Sequence, residues 1–398
     1  MKFRALLFSA SLIAILFNGL TINTVNAQTN DFLYGDQLPD APKLSARGEY
    51  KVGVKTVNLV NPNQVDILNS KEGNDPTYDR PITIEVWYPA NVGDDAKTVV
   101  YDEVMGTRGD SLRPLTPFTF KGRAYRDAAP KSGNKFPLVV VSHGYVGSRY
   151  LMTYLTENLA SKGYIVAAID HTASTFKDAN AFQSTLLNRP KDIRFVINEM
   201  EKMGAKGSKN NLEGVVDANN TAIIGYSMGG YGVLNVGGAG YSAGLAQFFT
   251  GMTGGSTAIS GLKGLKTPTF FIAGSQDDIS GYEKGIKAIY EGAVNADRYL
   301  LTYMNARHNV APNPPPAEAL APGLHIDEYY RYAEPSWDQR KMNNINQHFV
   351  TAFIGKHLKN QDSTKFLEVQ EDSNEKDWTG FKPRSSTGME LLHAQPAN

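Results

Sequence analysis

The sequence predicts an α/β fold in which a mostly parallel central sheet is flanked by helices. Apolar runs of strand length alternate with segments whose apolar residues recur at helical spacing, which is typical of a parallel sheet covered by helices. The run "FPLVVVSHG" (136–144) contains a continuous apolar stretch, as expected of a strand buried on both faces. Another run ends at a serine set among glycines, "TAIIGYSMGGYG" (221–232), which is typical of a tight turn after a strand.

The predicted strands begin with "ITIEVWYP" (82–89), whose alternate residues form one apolar face: Ile82, Ile84, Val86 and Tyr88. Further strands are predicted at 136–144, 164–170, 221–227, 267–274 and 298–304. One more strand is expected in the glycine-rich segment 236–266, where "LAQFF" (245–249) is a poor candidate.

The predicted helices follow these strands along the chain. The first occupies 149–162 and ends at Gly163, and the second occupies 190–203 and opens with Pro190. A third helical segment is predicted near 281–291. The last helix is indicated by apolar residues at helical spacing: Met342, Ile345, Phe349 and Phe353.

The chain divides by composition into four parts. Residues 1–27 have the pattern of a secretion signal: Lys2 and Arg4, then an apolar stretch from Ala5 to Phe17, then a small-residue cleavage site ending at Ala27. The apolar stretch is shorter than the roughly 20 residues of a membrane span, so export is favoured over an integral membrane anchor. We expect an N-terminal extension with the first strands at 28–80, the main domain at 81–360, and a loosely held polar tail at 361–398.

Composition narrows the possible partners and chemistries. The 398 residues carry 40 basic and 40 acidic side chains, so no strong field recruits nucleic acid, and a neutral small molecule is favoured. The absence of cysteine excludes a thiol nucleophile, disulfides and cysteine-bound zinc. No metal-binding or phosphate-binding motif stands out, so no cofactor is expected, and we expect a monomer.

The pentapeptide "GYSMG" (225–229) matches the G-x-S-x-G pattern of a turn that displays a serine hydroxyl between a strand and a helix. Ser227 is therefore the candidate nucleophile. A serine hydroxyl needs a base, and the base needs an orienting carboxylate, in the chain order Ser, Asp or Glu, His. Asp277 and Asp278 follow the strand "TPTFFIAG", and His308 follows the next strand.

The candidate acid and the candidate base are both selected by their position in the chain. Asp277 lies three residues after Gly274, which favours it over the adjacent Asp278 as the orienting acid. His308 is favoured because it follows the acid in the chain. The other histidines do not fit this order or position: His143 and His171 precede Ser227, His325 is in a proline-rich loop, His348 and His357 are on the last helix, and His393 is in the tail.

Acyl transfer to a serine also requires N–H donors that bind the oxyanion of the tetrahedral intermediate. Each donor stabilises the transition state by roughly 3–4 kcal/mol. The backbone N–H of Met228, directly after the nucleophile, is one candidate. The N–H of Tyr145, in "SHGYVGSR" after the second predicted strand, is the other. The ring of Tyr145 is also a candidate wall for the acyl or aryl part of a substrate.

These motifs resemble those of bacterial α/β-hydrolases over roughly residues 48–360. The motifs "RPITIEVWYPA", "FPLVVVSHGYVGSRYLMTYLTENLASKGYIVAAIDHT", "GYSMGG" and "TPTFFIAGSQDD" are similar to the dienelactone-hydrolase-like and platelet-activating-factor-acetylhydrolase-like groups and to bacterial cutinases or polyester hydrolases. The resemblance implies an α/β-hydrolase catalytic domain at 81–360 and ester hydrolysis.

The chain departs from each of these groups. Dienelactone hydrolases use a cysteine nucleophile, which is absent here. Mammalian-type acetylhydrolases place the acid soon after the nucleophile strand, but no Asp or Glu lies between Ser227 and Asp277. Bacterial cutinases usually carry a disulfide near the C-terminus, which this chain cannot form.

The sequence therefore predicts a secreted (periplasmic or extracellular) serine carboxylic ester hydrolase for small or medium acyl esters, acting through an acyl-enzyme. A cutinase-like polyester hydrolase, or an acetylhydrolase or lipase for lipid esters, is the alternative activity. A hydrolase-like binding protein without catalysis is the alternative of another class, because fold alone does not fix function. Segments 236–266 and 311–340, which shape the pocket, are left undetermined.

Overall fold

The computed structural model of the chain describes residues 32–179, 182–239, 259–369, 373–374 and 376–397. Two predictions lie outside these residues, the secretion signal at 1–27 and the strand candidate at 245–249.

The first seven strands of the described chain precede its first α-helix. The strands are β1 (Val52–Val65), β2 (Thr77–Asn91), β3 (Val100–Met105), β4 (Thr116–Lys121), β5 (Tyr125–Arg126), β6 (Ala129–Pro130), β7 (Phe136–Ser142), β8 (Ile165–Asp170), β9 (Ser174–Thr175), β10 (Asp178–Ala179), β11 (Val216–Gly225), β12 (Thr269–Gly274), β13 (Arg298–Tyr303) and β14 (Met389–Ala394).

The α-helices are α1 (Thr153–Ser161), α2 (Phe182–Gly204), α3 (Met228–Leu234), α4 (Ile259–Leu262), α5 (Ala288–Gly292), α6 (Ile326–Tyr329) and α7 (Gln339–Lys359). A π-helical turn continues α3 over Asn235–Ala239, and another precedes α5 at Tyr282–Lys287. Short 3₁₀ turns occur at Lys43–Ser45, Ala317–Leu320 and Thr364–Phe366. No helix of the described residues combines the length and the apolar character needed to cross a membrane.

The main sheet has the strand order β11-β7-β8-β2-β1-β5, with β6 beside β2. Strands β11, β7 and β8 are parallel, and β2 runs antiparallel to both β8 and β1. A second sheet has the order β12-β13-β14, in which β12 and β13 are parallel. The parallel strands β7, β11, β12 and β13 are followed by the loops that carry the predicted functional residues.

Two apolar clusters cover opposite faces of the main sheet. The predicted face of β2, with Ile82 and Ile84, packs with Leu138 and Val140 of β7 against α2. The other face packs against α1 and α7 and includes Val139, Val141, Leu155, Leu159 and Ile354. The sheet is therefore buried on both faces in its parallel centre, as continuous apolar strands require.

Two predicted boundaries differ from those in the structure. Strand β2 begins at Thr77 and pairs with β1, so a boundary at residue 80 divides a single strand. Helix α2 begins at Phe182, and Pro190 lies inside it instead of opening it. These first two turns remain helical because they are packed: Leu186 is buried against Met228 and Tyr231 of α3.

The C-terminal segment 361–398 was expected to be a loosely held tail, and the structure corrects this. Strand β14 pairs antiparallel with β13 along its whole length. Met389 and Leu391 are buried in the cluster formed by β13 and α7. The strand has only six residues, and the rest of the segment is rich in polar residues, so the composition of the segment conceals its place at the edge of a sheet.

Candidate active site

Ser227 lies at a sharp turn between β11, which ends at Gly225, and α3, which begins at Met228. Its backbone has φ 53° and ψ −117°, a conformation that non-glycine residues rarely adopt. The turn requires two glycines. A Cβ at Gly225 would lie 2.3 Å from the carbonyl carbon of Gly229, and a Cβ at Gly229 would lie 2.0 Å from the carbonyl oxygen of Ser142.

Three side chains that are far apart in the sequence form one line of hydrogen bonds. His308 Nε2 lies 3.0 Å from Ser227 Oγ. His308 Nδ1 lies 3.1 Å from Asp277 Oδ1 and 3.0 Å from Asp277 Oδ2. The order of the groups is hydroxyl, imidazole and carboxylate, the arrangement that lets an imidazole take a proton from a serine.

The environment of Asp277 keeps its carboxylate ionised. Burial raises its pKa, but the hydrogen bond and charge of His308 and the N–H groups of Ser280 and Ile279 outweigh burial, and the net pKa is lowered. These two N–H groups donate to Oδ1 at 2.8 Å and 2.9 Å. An ionised carboxylate at Nδ1 assigns the imidazole proton to Nδ1 and leaves Nε2 free to accept from the Ser227 hydroxyl.

Asp277 and Asp278 face different surroundings. The side chain of Asp277 is 6 % exposed, whereas that of Asp278 is 42 % exposed. Asp278 forms an ion pair with Arg307, which is itself half exposed. Of the two adjacent acids, the described hydrogen bonds therefore connect Asp277 to His308 and Asp278 to a surface arginine.

Two residues that the sequence analysis did not single out hold the loop of His308. Glu334 accepts the backbone N–H of Arg307 at 2.6 Å and that of Asn309 at 2.5 Å, on either side of the histidine. Tyr226, next to the serine, donates its hydroxyl to Asn309 Oδ1 at 2.7 Å. Burial raises the pKa of Tyr226 well above its usual value, so the phenol keeps this proton. Glu334 lies in the undetermined segment 311–340 and binds backbone groups, so no sequence motif reveals it.

The two candidate oxyanion donors flank the serine. Met228 is the first residue of α3, where the N–H groups have no carbonyl partner one turn earlier in the helix. Tyr145 follows Gly144, whose backbone approaches the nucleophile closely: a Cβ at Gly144 would lie 3.4 Å from Ser227 Cβ. The Tyr145 ring packs edge-on against Phe182 with ring centroids 5.0 Å apart.

A cleft of about 990 Å³ borders Ser227 and His308. Its apolar and aromatic lining includes Tyr145, Leu151, Phe176, Tyr226, Ile279 and Tyr330. Three arginines also line the cleft, and each is paired with a carboxylate: Arg113 with Asp110, Arg307 with Asp278, and Arg331 with Glu328. The cleft therefore offers apolar surface with compensated charges.

The remaining histidines and acids do not form a second open site of this kind among the described residues. His143 and His171 are buried beneath the loop after β7, and burial lowers the pKa of both, so they are neutral. Within the same residues, no group of three histidine, aspartate or glutamate side chains is arranged to hold a metal ion.

Comparison with solved structures supports the fold. A ferulic acid esterase from Streptomyces cinnamoneus superposes with a TM-score of 0.56 over 89 % of this chain and 100 % of that chain, at 19 % sequence identity. At this identity, the similarity concerns the fold alone. With the parallel strands and flanking helices described above, it identifies an α/β-hydrolase fold.

Curated relatives match a central part of the sequence. Cutinase est1 of Thermobifida alba is 27 % identical over 107 residues, which is 27 % of this chain and 32 % of the cutinase. Cutinase cut1 of Thermobifida fusca is 29 % identical over the same share of this chain and 30 % of its own length. A putative phospholipase A2 of Schizosaccharomyces pombe is 30 % identical over 32 % of this chain and 28 % of its own length. The chain thus matches about a third of the length of these relatives.

The family comparison covers more of the chain and includes most of the site. The PET hydrolase-like family matches residues 121–321, which is half of the chain. This region contains the serine turn at Ser227, both candidate oxyanion donors, and the loops of Asp277 and His308. The chain therefore belongs to the PET hydrolase-like family.

Proposed function

We propose that this protein is a serine carboxylic ester hydrolase that works through an acyl-enzyme. The observation that carries the proposal is the line of hydrogen bonds from Ser227 Oγ through His308 to Asp277 at the border of an apolar cleft. The cutinase relatives and the family membership agree with ester hydrolysis.

Ser227 attacks the ester carbonyl while His308 Nε2 takes the hydroxyl proton. The resulting tetrahedral intermediate collapses, the C–O bond to the alcohol breaks, and His308 returns the proton to the departing alcohol. Water then attacks the acyl-enzyme, again losing a proton to His308, and the second collapse releases the acid and restores the Ser227 hydroxyl.

Asp277 and the backbone donors stabilise the charges that develop in these steps. The Asp277 carboxylate holds the Nδ1 proton and stabilises the imidazolium that forms when Nε2 is protonated. The N–H groups of Met228 and Tyr145 would bind the oxyanion, and their contribution arises in the transition state because the ground-state carbonyl carries less charge. No step of this mechanism needs a cofactor.

All of the proposed catalytic groups come from one chain, which supports action as a monomer. Export is also part of the proposal, and it rests on the sequence of residues 1–27: two basic residues, an apolar stretch and a small-residue cleavage site.

Replacing the nucleophile tests the proposal most simply. Ser227→Ala removes the attacking oxygen, so we expect turnover of a p-nitrophenyl ester to fall to background, by roughly 10⁴-fold or more. The far-UV circular dichroism spectrum should stay unchanged because alanine can replace serine without filling new space. A folded Ser227→Ala variant with undiminished turnover would contradict the proposal.

The two adjacent acids provide a matched pair of variants. Asp277→Asn removes the charge that fixes the imidazole tautomer, and we expect kcat to fall by about 10⁴-fold. Asp278→Asn removes only an exposed ion pair with Arg307, so kcat should change by less than about threefold. Both variants are measured with the same p-nitrophenyl ester. The reverse order of losses would assign the orienting role to Asp278.

A second candidate, hydrolysis of esters at the surface of an apolar polymer, is favoured by the rim of the cleft. Leu112 is 72 % exposed and adjoins the lining residue Arg113, and Ile326 is 60 % exposed and adjoins the lining residue Asp327. Ile279 and Tyr330, which line the cleft, are exposed as well. Exposed apolar side chains around one opening are typical of a surface that meets an apolar partner.

This candidate is tested with a double variant, Leu112→Ser with Ile326→Ser. Release of soluble products from a polyester film should fall several-fold, while turnover of p-nitrophenyl acetate should stay within about twofold, since the acetate is too small to reach the rim. Leu68→Ser is the matched control, because Leu68 is also exposed but neither lines the cleft nor adjoins a lining residue. Equal film hydrolysis by all three proteins would leave small soluble esters as the substrate class.

A further inference from the structure

A buried arginine lies behind the loop that carries Tyr145. Arg189, on α2, is fully buried, and its guanidinium reaches two consecutive backbone carbonyls of this loop. Nη1 donates to the carbonyl oxygen of His143, and Nη2 donates to that of Gly144 at 2.9 Å. The second carbonyl belongs to the same peptide group as the N–H of Tyr145.

The described partners of Arg189 are all uncharged. Besides the two carbonyls, its guanidinium contacts the hydroxyls of Ser174 and Ser142, the latter at 3.3 Å, and its Nη2 lies 3.5 Å from Nδ1 of the neutral His143 ring. The nearby carboxylate of Asp192 is instead held by Arg80, through two bonds of 2.9 Å, and by His171 Nδ1 at 2.9 Å. Burial lowers the pKa of Arg189 to about 9, so the guanidinium is still cationic at neutral pH. Burying a cation among neutral acceptors costs folding free energy. The position of Arg189 against this loop therefore indicates a role other than stability.

A second donor acts on the same peptide group. His143 Nδ1 lies 2.6 Å from the carbonyl oxygen of Gly144. The backbone N–H of His171 donates to His143 Nε2 at 3.3 Å, which assigns the proton of the neutral His143 ring to Nδ1. The Gly144 oxygen therefore accepts from both His143 and Arg189.

These contacts have a direct consequence for Tyr145. The carbonyl and the N–H of a trans peptide point in opposite directions, so donors that fix the Gly144 oxygen on one side also fix the Tyr145 N–H on the other. A cation on the oxygen also polarises the peptide group and makes its N–H a stronger donor.

We infer that Arg189 is a positioning residue that orients and polarises the Gly144–Tyr145 peptide group for binding the oxyanion. The inference rests on the proposed function, because it needs Tyr145 to serve as an oxyanion donor. It assigns to α2 an electrostatic part in the reaction, although no atom of Arg189 is expected to touch substrate.

A buried serine, histidine and aspartate beside this arginine resemble the proposed catalytic groups but cannot share their role. Ser142 Oγ lies 2.9 Å from His171 Nε2, and His171 Nδ1 contacts Asp192, in the same order as the groups at Ser227. All three side chains are at most 1 % exposed, so no ester can reach Ser142. These contacts instead hold the end of β7 and the ring of His143, which donates to the Gly144 carbonyl.

The test compares Arg189→Met with Arg189→Lys, using kcat and KM for p-nitrophenyl acetate and the rate of inactivation by diethyl p-nitrophenyl phosphate. Removing an oxyanion donor costs about 10²–10³-fold in kcat, and a misdirected donor should approach the lower value. We expect Arg189→Met to lose about 100-fold in kcat and a similar factor in inactivation rate, with KM within about threefold. Arg189→Lys keeps the cation, so its kcat should be about tenfold higher than that of Arg189→Met and about tenfold lower than that of the wild type.

Arg80→Lys is the matched control. Arg80 belongs to the same buried network, and its described contacts are with Asp192, Tyr78 and Thr172 rather than with the loop. We expect this variant to lower the melting temperature while kcat stays within about threefold. If Arg80→Lys loses as much kcat as the Arg189 variants do at the same loss of stability, the role of Arg189 is structural and the inference is overturned.

Other outcomes are equally decisive. A folded Arg189→Met variant with unchanged kcat, or with a change in KM alone, would overturn the inference. If Arg189→Met does not fold, Arg189→Lys provides the test. The lysine ammonium cannot bind both carbonyls, so kcat should fall about tenfold. An unchanged kcat in this variant would contradict the inference. Failure of the proposed function is recognised separately, because the wild-type protein would then show no ester turnover, or Ser227→Ala would retain it, whatever the Arg189 variants do.

Discussion

The site depends on one close approach of two backbones. The carbonyl of Ser142, at the end of β7, lies where a Cβ of Gly229 would be, and this contact brings the start of α3 against the neighbouring strand. It forces the chain between β11 and α3 into the unusual backbone conformation of Ser227. The same contact places the loop after β7, with Gly144, beside the serine. Nucleophile and oxyanion loop are thus positioned together by a single packing constraint.

The strands place the functional loops, and distant side chains then hold these loops in position. Strands β11, β12 and β13, each parallel to a neighbour, are followed by the three loops that supply Ser227, Asp277 and His308. Loops after parallel strands are the usual place for ligand sites in open α/β sheets. Two loops of the site, those of His308 and Tyr145, are then held by groups from elsewhere in the chain. Glu334 binds the N–H groups beside His308, and Arg189 binds the carbonyls before Tyr145. Buried charges that bind backbone groups thereby give irregular loops the precision that the chemistry requires.

Local patterns in the sequence predict part of the fold and of the candidate site. Apolar periodicity predicted the order of strands β2, β7, β8, β11, β12 and β13 and of helices α1, α2 and α7, but not the hairpin of β3 and β4. The expected proximity of Ser227, Asp277 and His308 followed from a motif and its chain order. Glu334 and Arg189 could not be predicted, because they act on backbone groups far away in sequence and belong to no motif. Strand β14 was missed because it has only six residues and follows a long polar stretch. The early start of α2 was missed because packing against α3 overrides the usual effect of Pro190.

The central claim is that His308 and Asp277 activate Ser227, and a covalent probe tests it directly. A fluorophosphonate reacts with an activated serine, so the intact protein should gain the mass of one phosphonyl group, and peptide mapping by mass spectrometry should locate it on Ser227. A His308→Ala variant should remain unlabelled under the same conditions. An unlabelled protein, or a label on another residue, would contradict the account and favour a binding protein that shares the fold without the chemistry.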